Sequence, residues 1–221
     1  MVVPGIPHHV TQRGNRCEDI FFGDADRHHF LQLLERYSRR NGLGVLAYCL
    51  VSNHVHLVVV PEGAGSLAAT LKPVNLLYAR HVNERQGWCG RVWQERHFSC
   101  PMDAAHCLAA TRYVEFNPVR AGMVSSADEY VWGSGAGHAG RRRDPLLSDR
   151  AGWLAGIDDR SAWLHAGEEG ERITRLMLHT RTGRPLGNDG FTERLESELG
   201  RRLRSRRRGR PRSGGRPAEI G

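Results

Sequence analysis

Two short spacings in this chain could carry chemistry. His54 and His56 flank Val55 inside an apolar, β-branched stretch. On a strand, side chains at i and i+2 leave the same face, so both imidazoles point one way and Val55 the other. Two neutral imidazoles at that separation can share a divalent ion. They also cost free energy in an apolar hairpin unless something satisfies them, and a third ligand has to come from another element. Tyr113 and Asn117 stand at i and i+4, which on a helix sets them one turn apart on one face. An amide oxygen is a hard donor suited to Mg2+ or Mn2+. A tyrosine beside such an ion is a candidate nucleophile, although a phenol of pKa about 10 needs help to attack. Taken alone, the same residues also read as hydrogen-bonded sheet histidines, a half-buried helix aromatic and a polar helix end. Tyr48, Tyr78 and Tyr130 are the next nucleophile candidates.

The elements that must position these residues follow from periodicity and punctuation. Ile6 to Arg13 alternates as a short strand closed by Gly14-Asn15. Asp24 or Asp26 caps a helix carrying Phe30, Leu33, Leu34 and Tyr37, which Asn41-Gly42 ends in a left-handed stop. Val45–Val51 and His54–Val60 form a hairpin about Ser52-Asn53. Ser66 opens a helix with Leu67, Leu71, Val74, Leu77, Tyr78 and His81 on one face, which Pro73 should kink or restart. Arg91 to Cys100 reads as a strand region. Asp103 opens a helix through about Asn117, where Pro118 ends it. Strand, helix, strand, strand, helix, strand, helix is the order of an α+β, ferredoxin-like split βαβ: an antiparallel sheet with helices on one face. Ser125 to Pro145, rich in Gly, Ser and Arg, reads as a linker or surface excursion. Weaker helical patterns follow at Ile173–His179 and Phe191–Leu203. The expected division is 1–132 for the catalytic domain, 133–200 for a linker and helical extension, and 201–221 for a flexible tail.

Composition narrows the class. The 221 residues are 39% hydrophobic, enough for one packed core. No long uninterrupted apolar run offers a membrane span, and no basic-then-apolar leader opens the chain, so a cytoplasmic protein is expected. Five cysteines without a CxxC pair fit neither a disulfide framework nor a zinc finger. Residues 201–221 hold nine of the 32 basic side chains and one of the 24 acidic ones, leaving 23 against 23 in the rest. The whole +8 therefore sits in an arginine tail spaced by Gly and Pro, a flexible polyanion-binding segment whose guanidinium forks match phosphate oxygens. Such a tail gives salt-sensitive, largely sequence-independent affinity for nucleic acid. A merely solubilising basic terminus is the alternative.

The strings Val10-Thr11-Gln12-Arg13-Gly14-Asn15, Ala47 to Val59 around His54-Val55-His56, and Arg112-Tyr113-Val114-Glu115-Phe116-Asn117-Pro118 through Val124 resemble the HUH single-tyrosine transposases, and most of all the REP-associated ones. Val92-Trp93-Gln94 with Arg96, Tyr130-Val131-Trp132, Thr182 to Gly187 and the Arg208-Gly209-Arg210-Pro211-Arg212 tail add to the resemblance. It is dense over residues 7–132 and sparser over 180–212.

The resemblance implies a ferredoxin-like nuclease in which His54, His56 and Asn117 hold one Mg2+ or Mn2+ and Tyr113 attacks single-stranded DNA. That attack would form a 5′-phosphotyrosine and release a 3′-hydroxyl, with no ATP or other nucleotide cofactor. The substrate class would be a palindromic repeat folded as a hairpin. Arg13, Asn15 and Arg120, with Arg206, Arg207, Arg208, Arg210 and Arg212 of the tail, would contact DNA. A monomer or homodimer near the nucleoid, with no membrane partner, completes the expectation. The rival reading is a non-catalytic nucleic-acid binder, a ferredoxin-like RNA or DNA module or a repressor.

Overall fold

The computed structural model describes residues 1–148, 152, 162, 163 and 170–204. Arg206, Arg207, Arg208, Arg210 and Arg212 of the expected DNA-binding tail lie outside the described residues. In chain order the elements are β1 (His8–Arg13), α1 (Asp24–Arg40), β2 (Leu43–Val51), β3 (His54–Pro61), α2 (Ser66–Gln86), β4 (Phe98–Pro101), α3 (Ala104–Arg120), α4 (Gly135–His138), α5 (Gly170–Thr182) and α6 (Asp189–Leu199). Single 3-10 turns occupy Asn15–Cys17 and Ala127–Glu129. The sheet is antiparallel in the order β2-β3-β1-β4, the α+β, split βαβ topology expected from the element order.

Pairing fixes what each face carries. His54 lies opposite Arg13, His56 opposite Thr11 and Val58 opposite His9, so His9, Thr11, Arg13, His54 and His56 share one face. On the other face Gln12 receives a hydrogen bond from Asn75 of α2. The long helices α1 and α2 cover that second face, in keeping with helices on one side. The structure departs from the expectation on the histidine face, which is covered too, by α3 and α5: Tyr113 and Thr180 both touch His9. A strand buried on both faces reads as a near-continuous apolar run, and every residue of β2 is buried.

Both prolines behave differently from their sequence reading. α2 runs through Pro73 without a break. Proline inside a helix costs about 3 kcal/mol or more, partly because it has no N–H for the carbonyl four residues back. Here that carbonyl, Ala69 O, accepts instead from Asn41 Nδ2 at 3.0 Å. α3 likewise continues past Pro118 to Arg120. Its stop is Gly122, at φ +67°, with Gly122 N bonded to Val119 O and Met123 N to Pro118 O. Asp103 caps α3 as expected, accepting from His106 N at 2.9 Å. α1 starts instead from Gly23, and Asp26 turns inward to accept from Phe22 N and to pair with His81 and Arg85.

Residues 125–148 are not a linker. Leu50 N donates to Trp132 O, Ser134 N to Tyr48 O and Ser148 N to Val45 O, so this segment covers the outer edge of β2, which would otherwise expose unpaired backbone groups. Buried Tyr130 and Trp132 pin it to the core. Within Arg91–Cys100 only the end is strand. Trp93 instead bridges Gly14, and Gln94 N bonds to Arg13 O beside the end of β1. On the far edge, Leu186 N donates to Pro101 O, which brings the chain after α5 onto β4.

A candidate nuclease site on the histidine face

His56 is 2% exposed and His9 is fully buried, while His54, at the start of β3, is part-exposed. The rings of His54 and His56 lie 4.8 Å apart between centroids. Burial pushes the imidazole pKa of His54 down to about 4 and that of His9 to about 3, and holds His56 well below the ordinary histidine value. The neighbouring charge of Arg13 adds to the lowering of His54. All three are therefore neutral at pH 7, the form a metal ion requires.

The hairpin turn orients His54. Asn53 Nδ2 donates to Cys17 O at 3.1 Å, which fixes the amide and turns Oδ1 toward His54 Nδ1, 2.5 Å away. His54 thus donates from Nδ1, and its Nε2 keeps a bare lone pair. The turn that supplies the Cys17 carbonyl holds Arg16 and Cys17 at φ +53° and +62°, a strained conformation for residues with a side chain.

α3 brings Tyr113 edge-on to two rings of this cluster, at 5.4 Å from His56 and 5.9 Å from His9 between centroids. Because α3 continues past Pro118, Arg120 follows Tyr113 by two helical turns on the same face. Its guanidinium reaches back to 4.0 Å from the centre of the tyrosine ring, and its Nη2 donates to Tyr113 O. Asn117, 9% exposed, sits one turn after Tyr113. Among the described residues its amide is not bonded to either histidine. The structure thus gathers Tyr113, His54, His56 and Arg120, with Asn117 on the same helix face. Arg13 stands opposite His54, and Asn15 lies in the 3-10 turn after β1, its N–H bonded to Val92 O.

The three other nucleophile candidates are committed elsewhere. Tyr48 donates to Asp144 Oδ2, Tyr78 to Ile20 O and Tyr130 to Leu50 O. Burial raises all three phenols, that of Tyr130 to about 12.

Two site residues escaped the sequence reading, His9 and Thr180. His9 Nε2 lies 3.2 Å from His56 Nδ1, and His9 Nδ1 lies 2.7 Å from Thr180 Oγ1 of α5. Strand alternation sets His9 on the face of Arg13, but only the pairing of β1 with β3 brings that face to the His pair. No local signal marks Thr180.

Among the described residues no group of three or more His, Cys, Asp or Glu side chains could hold a metal ion. A metal here would rest on two imidazole nitrogens and an oxygen donor of another kind, such as the Asn117 amide, a donor set suited to a hard divalent cation with positions left open.

No helix among the described residues is long and apolar enough to cross a membrane. No curated protein matches the chain. Among solved structures, the REP-associated tyrosine transposase bound to a REP hairpin has a similar fold, with a TM-score of 0.53 and 14% identity over 67% of this chain and 88% of that one. A protein assigned as a transposase from Deinococcus radiodurans R1 aligns at 16% identity over 51% of this chain and 91% of that one, with a TM-score of 0.37. The family model described as "Transposase IS200 like" matches residues 3–117, more than half of the chain and the stretch that carries His9, His54, His56, Tyr113 and Asn117. This chain therefore belongs to the IS200-like transposases, the single-tyrosine HUH family, and its role is DNA transposition.

Proposed function

We propose that the protein cuts and rejoins single-stranded DNA through a covalent bond to Tyr113, at palindromic repeats folded as hairpins. The observation that carries this reading is the edge-on contact of Tyr113 with His56, beside His54 on the same face. In the reaction, Tyr113 Oη attacks the phosphorus and the bond from phosphorus to the 3′ oxygen breaks. The phenol proton leaves to water, and the departing strand takes up a proton to end as a 3′-hydroxyl. Reversal by another 3′-hydroxyl restores the phosphodiester and frees the tyrosine, so no nucleotide is consumed.

His54 and His56 would hold a divalent ion, Mg2+ or Mn2+, through nitrogen, and Asn117 through its amide oxygen. Such an ion supplies charge neutralisation on the phosphate oxygens. Arg120 fixes the tyrosine ring and stabilises the negative charge that develops on its oxygen. Arg13, Asn15 and the tail arginines would meet the DNA backbone. Support for a hairpin substrate comes from the structure of similar fold, which was solved with a REP hairpin. The tail at 201–221 would act as an arm apart from the catalytic domain.

The test is incubation with end-labelled single-stranded hairpins, with Mg2+ or Mn2+ and without. A denaturant-stable adduct that needs the metal and disappears in Tyr113→Phe is expected, with hairpin binding retained. Binding with no adduct in the wild type would make the chain a non-catalytic DNA binder.

A further inference from the structure

We propose that His9 and Thr180 are positioning residues that set the tautomer of His56 and so turn its Nε2 lone pair toward the metal site. This rests on the metal reading above, and it is carried by a series of three hydrogen bonds. Thr180 Oγ1 lies 2.8 Å from Leu176 O, His9 Nδ1 lies 2.7 Å from Thr180 Oγ1, and His9 Nε2 lies 3.2 Å from His56 Nδ1.

Proton counting along the series leaves one solution. A backbone carbonyl only accepts, and a hydroxyl has a single proton, so Thr180 donates to Leu176. Toward His9, Thr180 can then only accept, and His9 must donate from Nδ1. His9 is fully enclosed, and its ring partners are a hydroxyl and an imidazole rather than a carboxylate. An imidazolium there would be a buried charge without a counter-ion, so the ring holds one N–H and its Nε2 is an acceptor. The partner nitrogen, His56 Nδ1, must carry the proton. His56 Nε2 is then bare, the state in which an imidazole binds a metal. Cys100 Sγ also lies 3.3 Å from Thr180 Oγ1, where either atom could donate; sulfur is the weaker acceptor, so the Thr180 proton goes to the Leu176 carbonyl at 2.8 Å. The opposite tautomer of His56 would set two lone pairs against each other in a buried site, leaving both groups without a partner.

The relay also gives α5 a task. Thr180 lies 63 positions beyond the end of the matched family region at residue 117, and α5 packs across His9 and along α3. α5 would thereby hold the protonation pattern of a site whose ligands all lie within the matched region, residues 3–117. His54 has its own anchor in Asn53, so loss of the relay should affect one histidine of the pair and spare the other.

The experiment uses the full chain without metal, labelled with 15N, and reads the protonated ring nitrogen of His56 from long-range 1H–15N spectra. The same proteins are then titrated calorimetrically with Mn2+ alone. In the wild type His56 should carry its proton on Nδ1. Thr180→Val, which keeps the shape and removes the hydroxyl, should shift His56 toward the Nε2–H form and weaken Mn2+ binding about tenfold to a hundredfold. Thr180→Ser should restore both, and His54 should keep its Nδ1–H tautomer throughout. An Nε2–H His56 in the wild type overturns the relay, as does a Thr180→Val protein with unchanged tautomer and unchanged Mn2+ affinity. If Thr180→Val fails to fold, the wild-type spectrum decides. A wild type that binds no Mn2+ defeats the metal reading, while the tautomer spectra still judge the relay.

Discussion

The guanidinium of Arg120 lies 4.0 Å from the centre of the Tyr113 ring, a contact that exists because α3 does not stop at Pro118. Had the helix ended at Asn117, Arg120 would have left in the following turn, away from the ring. A cation over an aromatic face is worth about 0.5–2 kcal/mol depending on desolvation. Tyr113 is 7% exposed, which favours the upper part of that range.

Arg120→Met, which keeps bulk and removes charge, should slow single-turnover adduct formation about tenfold, in line with a loss of roughly 1.4 kcal/mol. Arg120→Lys should recover part of it. Hairpin affinity should change far less than the cleavage rate if the arginine acts on the tyrosine, and equal losses in both would assign it to DNA contact instead.

The bond from Asn41 to Ala69 O compensates for Pro73. Asn41→Ala should destabilise the wild type by about 1 kcal/mol. It should cost less in a Pro73→Ala background, where the restored N–H can reach the same carbonyl. A double-mutant cycle by urea denaturation should give a coupling of about 0.5 kcal/mol or more, and strict additivity would show that Asn41 acts through its bond to Tyr37 O alone.

His8, on the face away from the site, is fully buried, accepts from Val3 N and donates to Ile6 O. Burial lowers its pKa from 6.5 to about 4. Above pH 6.5 it is neutral folded or unfolded and its protonation contributes nothing to the pH dependence. Below 6.5 the unfolded chain takes up a proton that the folded one refuses, so stability falls as pH drops from 6.5 toward 4, by about 1.2 kcal/mol per unit at most. His8→Gln should flatten that slope in denaturation curves taken at pH 7, 6 and 5. An unchanged slope would mean that His8 is protonated in the folded protein.

Removal of residues 205–221 deletes six of the nine tail arginines. Affinity should drop for cognate and scrambled hairpins alike, and the slope of log K against log salt should flatten as fewer counterions are released. A change in preference between the two hairpins would show that the tail reads structure or sequence.

What could be read from the chain alone was local. The His54-Val55-His56 alternation, the helical spacing of Tyr113 and Asn117, the Asp103 cap and the Gly42 stop each depend on residues within a turn or two, so period and punctuation suffice to find them. The order of strands and helices then restricts the topology to a few choices, of which the split βαβ is one. Relationships between distant segments were decided only by packing. His9 meets His56 because β1 pairs with β3 in one register, and Thr180 meets His9 across 171 positions. Pro73 survives in α2 through an amide from the end of α1, and Ser125 to Pro145 has the composition of a linker or surface excursion while its backbone covers a sheet edge. In each case the local preference was real but small, and a buried hydrogen bond or a filled edge from a remote part of the chain outweighed it.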